Sequence, residues 1–207
     1  MNKYFITGIG TGVGKTLVSA ILTEALEADY WKPVQCGIKD GTDKETVKNL
    51  ISNSKTVIHS EEHCLEEPVS PHLAAAMAGY KIIMESMEIP MTSNRMVIEG
   101  AGGILVPLNE QYFVIDMATF FEAEIILVIR NYLGCINHSL LSIDYLTKNG
   151  FDVKGLILIG NFDPAVRTSI VNYAELPVIA ELPEVNEISK ETISVLAQKV
   201  DLSLFEN

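Results

Sequence analysis

Apolar residues fall into short continuous runs separated by longer amphipathic stretches, and the two alternate along nearly the whole chain. Residues 4–7 (Tyr-Phe-Ile-Thr) form the first run, and residues 17–26 carry the apolar helical pattern that follows it. Residues 30–35 hold a strand that ends in a lysine, Lys32, before Pro33, and the polar stretch 40–45 opens a helix through Ile51. Ser70 and Pro71 begin another helix, with serine at the N-cap and proline at the first helical position. Strands are predicted at 95–99, 124–129, 154–159 and 178–182, and a helix at 139–148. Runs that do not alternate with polar residues imply burial on both faces, as in a parallel sheet covered by helices. The expected fold class is therefore α/β, three layers, with a mainly parallel central sheet flanked by helices. Ligands of such sheets sit at the carboxyl ends of the strands, where Thr7, Lys32, Glu99, Arg130 and Gly160 fall. No linker interrupts the pattern, so residues 1–207 are expected to form one domain.

Between the first strand and the first helix lies Gly8-Ile9-Gly10-Thr11-Gly12-Val13-Gly14-Lys15-Thr16. Strand, glycine-rich turn and helix is the setting of a phosphate-binding loop, which specifies the fold further as P-loop NTPase-type. Backbone N–H groups of such a loop point at an anion, and the helix N-terminus adds partial positive charge. Lys15 is placed to reach terminal phosphates and the Thr16 hydroxyl to ligate Mg²⁺. The spacing departs from G-x-x-x-x-G-K-T, because its first glycine falls on Ile9 and Gly8 comes one residue early. The bland alternative is a flexible turn with a surface lysine.

A formal charge of −12 argues against bulk attraction to nucleic acid or an anionic membrane. No apolar run approaches the roughly 20 residues of a membrane span. The widely spaced Cys36, Cys64 and Cys135 fit a reducing compartment better than a disulfide framework. A cleavable leader would remove the phosphate loop, so a cytoplasmic protein is expected.

Glu99 ends a buried strand just before Gly100-Ala101-Gly102-Gly103, where an acid beside a phosphate loop faces Mg²⁺; a turn carboxylate without a metal role is the other reading. Asp43 shares a polar stretch with Asp40 and Glu45 and is either a solvated loop charge or a second carboxylate for the metal. Lys32, fixed by Pro33, is either exposed or a charge aimed into the cleft. Gly134, Cys135, Ile136 and Asn137 precede the 139–148 helix, a place where N–H groups can hold a carboxylate. Cys135 has nothing nearby that would activate it, and packing is its simpler role. Asn161 stands where base recognition is often placed, although Asn before Phe-Asp-Pro is also ordinary turn chemistry.

Taken in order, T-G-I-G-T-G-V-G-K-T, W-K-P-V-Q-C-G, T-D, E-P-V-S-P-H-L-A-A, V-I-E-G-A-G-G-I-L-V-P-L, L-G-C-I-N-H-S-L-L-S, G-N-F-D-P and A-E-L-P resemble the dethiobiotin synthetase family over most of the chain. The resemblance implies ATP- and Mg²⁺-dependent closure of 7,8-diaminononanoate with CO₂ to the cyclic urea of dethiobiotin, through a carbamate and its phosphoric anhydride. It makes Lys15 and Lys32 the catalytic charges and Thr16, Asp43 and Glu99 the metal site. Gly12, Val13, Gly14, Lys15, Thr16 and Leu17 would wrap the phosphates. Glu99 with Gly100, Ala101 and Gly102 would complete the ATP site, and Asn161, Pro183, Glu184 and Val185 would meet the base. It further implies a homodimer, with substrate held near Cys36 and by Gly134, Cys135, Ile136 and Asn137 of the other subunit.

Three departures stand out. Gly12 replaces a glutamate frequent in the loop, Cys36 replaces a serine or threonine, and the chain ends about twenty residues after Pro183, sooner than many relatives. The main rival is a dimeric partitioning or site-selection ATPase, which would carry a lysine where Gly10 stands. An amidotransferase-type synthetase would need a glutaminase domain, and a GTPase an N-K-x-D motif that the sequence lacks.

Overall fold

The computed structural model describes residues 2–206. In chain order the elements are β1 (Lys3–Gly8), α1 (Lys15–Leu26), β2 (Asp29–Trp31), β3 (Val34–Cys36), α2 (Asp43–Leu50), β4 (His63–Leu65), α3 (Pro71–Met77) and β5 (Met96–Glu99). There follow α4 (Asp116–Phe120), β6 (Glu124–Arg130), α5 (Cys135–Lys148), β7 (Val153–Ile159), α6 (Pro164–Ala174), β8 (Val178–Leu182) and α7 (Lys190–Ala197). Six strands make one sheet in the order β2-β5-β1-β6-β7-β8, and every pairing within it is parallel.

Successive side chains of each central strand enter opposite faces, and both faces are packed. Tyr4, Ile6, Val97, Ile126, Val128, Ile157 and Ile159 join Ile21 and Leu22 of α1 and Leu196 of α7 on one side. Phe5, Ile98, Leu127, Ile129 and Leu158 join Met117 of α4, Ile143 and Leu146 of α5 and Ile170 of α6 on the other. This is the three-layer arrangement that unbroken apolar runs require.

The strand predicted to end at Lys32 closes one residue earlier, at Trp31. Pro33 cannot donate to a ladder, and the chain leaves the main sheet after Trp31. It re-enters pairing as β3, beside β4, in a separate two-stranded parallel sheet. Lys32 thus sits at the break, one residue past the register pair Trp31–Ile98. The helix at 139–148 likewise begins earlier than its apolar pattern, at Cys135 with Gly134 as N-cap. Three glutamates, Glu27, Glu122 and Glu175, adopt left-handed φ of 48°, 52° and 50° at points where glycine is the usual occupant.

Asp29 anchors the edge strand. Its carboxylate is 1% exposed and accepts from the backbone N–H of Val57 (2.9 Å) and the amide of Asn94 (3.1 Å), with His59 Nε2 at 3.2 Å. Burial alone would raise its pKa, but donors from Thr92, Val57, His59 and Asn94 outweigh it and hold the carboxyl below the usual range. Such a group stabilises the fold above its unfolded pKa of about 3.9, and the contribution disappears as pH falls through the lower folded value. Asp29→Ala is expected to lower the unfolding free energy by about 1–3 kcal/mol at pH 7. Urea unfolding should show that gap narrowing below about pH 4, and a gap constant down to pH 3 would rule out the charge as its source.

Candidate active site

The phosphate loop leaves β1 and turns into α1 through Gly14, the N-cap, whose φ is 97°. A Cβ there would lie 2.8 Å from Ile159 Cδ1, so glycine is required by conformation and by space. Helix α1 has no side-chain cap and no acid in its first turn, so its N-terminal donors remain available to an anion. Lys15 Nζ folds back onto the Gly10 carbonyl at 2.9 Å.

Strand order assembles the rest. Because β2, β5 and β1 are neighbours, the tips carrying Lys32, Glu99 and the phosphate loop come together. Helix α2 adds Asp43 at its first position, held by a capping box in which Thr42 accepts from the Glu45 N–H and Glu45 from the Thr42 N–H. The Thr16 hydroxyl lies 2.8 Å from Asp43 Oδ1 and 2.9 Å from Glu99 Oε1. Lys32 Nζ donates to Glu99 Oε1 at 3.1 Å and pairs also with Asp43 Oδ2. Lys15, Lys32 and Glu99 are all buried.

Two residues that sequence reasoning did not single out complete the cluster. Tyr30 is buried and its hydroxyl donates to Glu99 Oε2 at 2.9 Å. Gln35 accepts the Asp43 N–H at 3.2 Å and donates to the carbonyls of Cys36 and Gly37, which fixes the turn before α2. Gln35 stands in the quoted K-P-V-Q string, but its partners are set by the path of the loop, and no local pattern announces them.

Burial and charge act oppositely on these groups. Burial lowers the Lys32 pKa, but the Glu99 and Asp43 carboxylates outweigh it and the net direction is upward. Burial raises Asp43, but Lys32 beside it holds the carboxyl below the usual range. For Lys15 burial wins, with the positive charge of Lys32 adding to it, and the pKa falls to about 8. The Cys36 thiol is pushed up to about 11 by burial, which keeps it protonated and weakly nucleophilic.

A cavity of about 650 Å³ opens over this cluster. Gly12, Gly14, Thr16 and Leu17 line one end, and Cys36, Pro68 to Pro71, Gly102 and Val106 line another. Among the predicted ATP contacts Ala101 also faces it, whereas Val13 is buried and Gly100 is held against β1 by its N–H to the Ile6 carbonyl. Gly134, Cys135, Ile136 and Asn137 lie outside this cavity in their own chain. Asn161, Pro183, Glu184 and Val185 lie outside it too, near the tips of β7 and β8.

The oxygen set fits Mg²⁺, a hard cation bound through one or two carboxylates and otherwise by water and phosphate. The Thr16 hydroxyl lies within hydrogen-bond distance of both the Asp43 and the Glu99 carboxylates. No cluster of three or more His, Cys, Asp or Glu side chains is placed for a metal among the described residues.

A protein of Cytophaga hutchinsonii named ATP-dependent dethiobiotin synthetase BioD is 44% identical over 208 residues, spanning 100% of this chain and 98% of that protein. This chain belongs to the dethiobiotin synthetase family. A second dethiobiotin synthetase, from Christiangramia forsetii, is 42% identical over 99% of the chain and 98% of its own length. A family model described as an AAA domain matches residues 2–192. Dethiobiotin synthetases are ligases, and this family places the chain among ATP-dependent enzymes. The cell division protein MinD of Aquifex aeolicus superposes with a TM-score of 0.53 at 14% identity, covering 100% of this chain and 98% of that one. That likeness shows the P-loop NTPase fold alone, so the partitioning-ATPase reading is not favoured. No helix among the described residues is long and apolar enough to cross a membrane.

The lowered Lys15 pKa has a measurable consequence. Folded below its unfolded value, the lysine charge is lost as pH rises through about 8. Affinity for inorganic tripolyphosphate, measured by calorimetry from pH 7 to 9.5, should fall above that point. Lys15→Met should bind more weakly at pH 7 and show a flatter profile, and an unchanged slope in the variant would assign the titration elsewhere.

Proposed function

We propose that this chain closes 7,8-diaminononanoate to dethiobiotin, using CO₂ and ATP. The observation that carries the reading is the meeting of Lys32 with the Thr16–Asp43–Glu99 cluster inside one cavity that also borders the phosphate loop. It is supported by full-length relatives named for that activity. One substrate amine adds to CO₂ and loses a proton, giving a carbamate. The carbamate oxygen attacks the γ-phosphorus of ATP and ADP departs. The neighbouring amine then attacks the carbonyl carbon of the mixed anhydride, the C–O bond to phosphate breaks, and nitrogen loses a proton as the cyclic urea forms. Substrate supplies both nucleophiles, so the protein has to hold reactants in line and stabilise charge.

Gly12 to Leu17 hold the phosphates, with Lys15 released from the Gly10 carbonyl toward them. Asn161, Pro183, Glu184 and Val185 face the base, and Glu99 with residues 100–102 borders the nucleotide. Thr16, Asp43 and Glu99 would hold Mg²⁺, which when bound supplies counter-charge to the carboxylates and to the phosphates. Lys32 is the counter-ion of both carboxylates in the structure. Its ammonium becomes available to the carbamate once they are otherwise neutralised, beside Cys36 in the substrate wall. We assign the activity to a single domain acting in the cytoplasm, consistent with three free cysteines.

We place the diamine carboxylate against Gly134, Cys135, Ile136 and Asn137 of a second subunit. Those residues lie outside their own chain's cavity, and the neighbouring Leu133 and Leu141 are exposed. A monomeric variant such as Leu133→Glu should then lose about tenfold or more in kcat/KM for the diamine, the scale of one hydrogen bond to a charged group. Sedimentation alongside the assay checks it, and a fully active monomer refutes the shared site.

Lys32→Gln tests the chemistry. Nucleotide affinity should stay nearly unchanged while conversion of labelled bicarbonate into acid-stable product falls about 10²–10³-fold. Equal losses in affinity and turnover would assign Lys32 to the phosphates, and normal product formation would remove it from the site.

A further inference from the structure

On the other side of β1 from Lys32, strands β6, β7 and β8 end side by side at Arg130, Ile159 and Leu182. The chain leaving β7 is pinned at this edge. Gly160 donates its N–H to the Leu182 carbonyl at 2.9 Å and takes a left-handed φ of 106°. A Cβ on Gly160 would stand 3.2 Å from the Cβ of Asn131, so the two segments pass in tight contact. Asn131 donates its backbone N–H to the Ile159 carbonyl (2.9 Å) and its side-chain amide to the Asn161 carbonyl (2.5 Å). Its Oδ1 faces Sγ of the buried Cys135 at 3.8 Å. Only one amide orientation satisfies both neighbours, since a flipped amide would set oxygen against oxygen at Asn161.

The result is an asymmetry at Asn161. Its backbone carbonyl is committed to Asn131, while its exposed side-chain amide has no hydrogen-bond partner among the described residues. We propose that Asn131 is a positioning residue for base selectivity, tethering Asn161 so that its free amide meets the nucleotide base in a fixed attitude. The inference rests on the reading, made above, that Asn161 faces the base. A carboxamide presents one donor and one acceptor side by side, which matches the N6–H and N7 edge of adenine, whereas guanine offers two acceptors there. Holding the peptide that carries the amide favours adenine; releasing it lets the segment rearrange and weakens that preference. The nearby Arg130–Glu184 ion pair, 3.2 Å long with both side chains about half exposed, is too well solvated to hold the segment in place of the Asn131 tether.

The test compares ATP, GTP and inorganic tripolyphosphate by calorimetry on the full chain, in wild type, Asn131→Ala, Asn131→Ser and Asn161→Ala. Asn131→Ala should weaken ATP about 3- to 10-fold, the scale of one lost hydrogen bond. Tripolyphosphate should stay within about twofold, because the phosphate loop lies on β1 and α1, and the ATP-to-GTP preference should narrow. Asn131→Ser, with a shorter side chain, should show the same narrowing in a variant of different packing. If Asn161→Ala weakens ATP relative to tripolyphosphate while both Asn131 variants leave that ratio unchanged, the tether is refuted and the base site stands. If Asn161→Ala leaves the ratio unchanged, the base lies elsewhere and both ideas fall. Parallel losses of ATP and tripolyphosphate in the Asn131 variants would make Asn131 a structural residue and overturn the proposal.

Discussion

Buried charge has to be balanced within contact distance, and the site of this chain is organised by that requirement. Lys32 faces Asp43 and Glu99 around the Thr16 hydroxyl, one positive group against two negative ones, while the buried Lys15 rests on the Gly10 carbonyl. Removing either carboxylate would leave a buried ammonium short of a partner, and removing Lys32 would leave two acids facing each other. Tyr30 takes the remaining Glu99 oxygen, so the more deeply buried of the two site acids also has the more partners. The balance exists only because Ile6 pairs with Glu99 and Trp31 with Ile98 across neighbouring parallel strands. A shift of either register by one residue would turn each strand's buried side chains to the opposite face and dissolve the cluster.

Much of this was legible in the sequence because the signals are local. Unbroken apolar runs gave the parallel sheet and its two covered faces, and the glycine loop between strand and helix gave the phosphate site. Glu99 and Lys32 were readable as strand-tip residues, which is where a doubly covered sheet presents ligands. What escaped depends on contacts far apart in the chain. Tyr30 lies within an apolar run and looks like core; only pairing with β5 brings its hydroxyl to Glu99, 69 residues away. The second, two-stranded sheet was hidden because β4, the partner of β3, lies far along the chain. Helix α6 was missed because Asp163 and Pro164, an N-cap and a first helical position, resemble a turn equally well. Where α1 and α6 stop, glutamate stands in the left-handed position that glycine usually marks.

The candidate base site was the least legible part. Asn161 could be placed at a strand end, but nothing near it in sequence points to Asn131, 30 residues away on another strand's exit.

The small sheet of β3 and β4 has a consequence of a different kind. It shares no ladder with the six-stranded sheet, yet it ends at Cys36 in the wall of the cavity, opposite the phosphate loop. Glu99 is therefore fixed by the register of the larger sheet, whereas Cys36 is carried by the smaller one, from which Gln35 also reaches Asp43. A substitution at position 36 changes the chemistry of the cavity wall without altering the ladder that pairs Ile6 with Glu99. The cavity wall can thus vary in chemistry while the parallel register stays as it is.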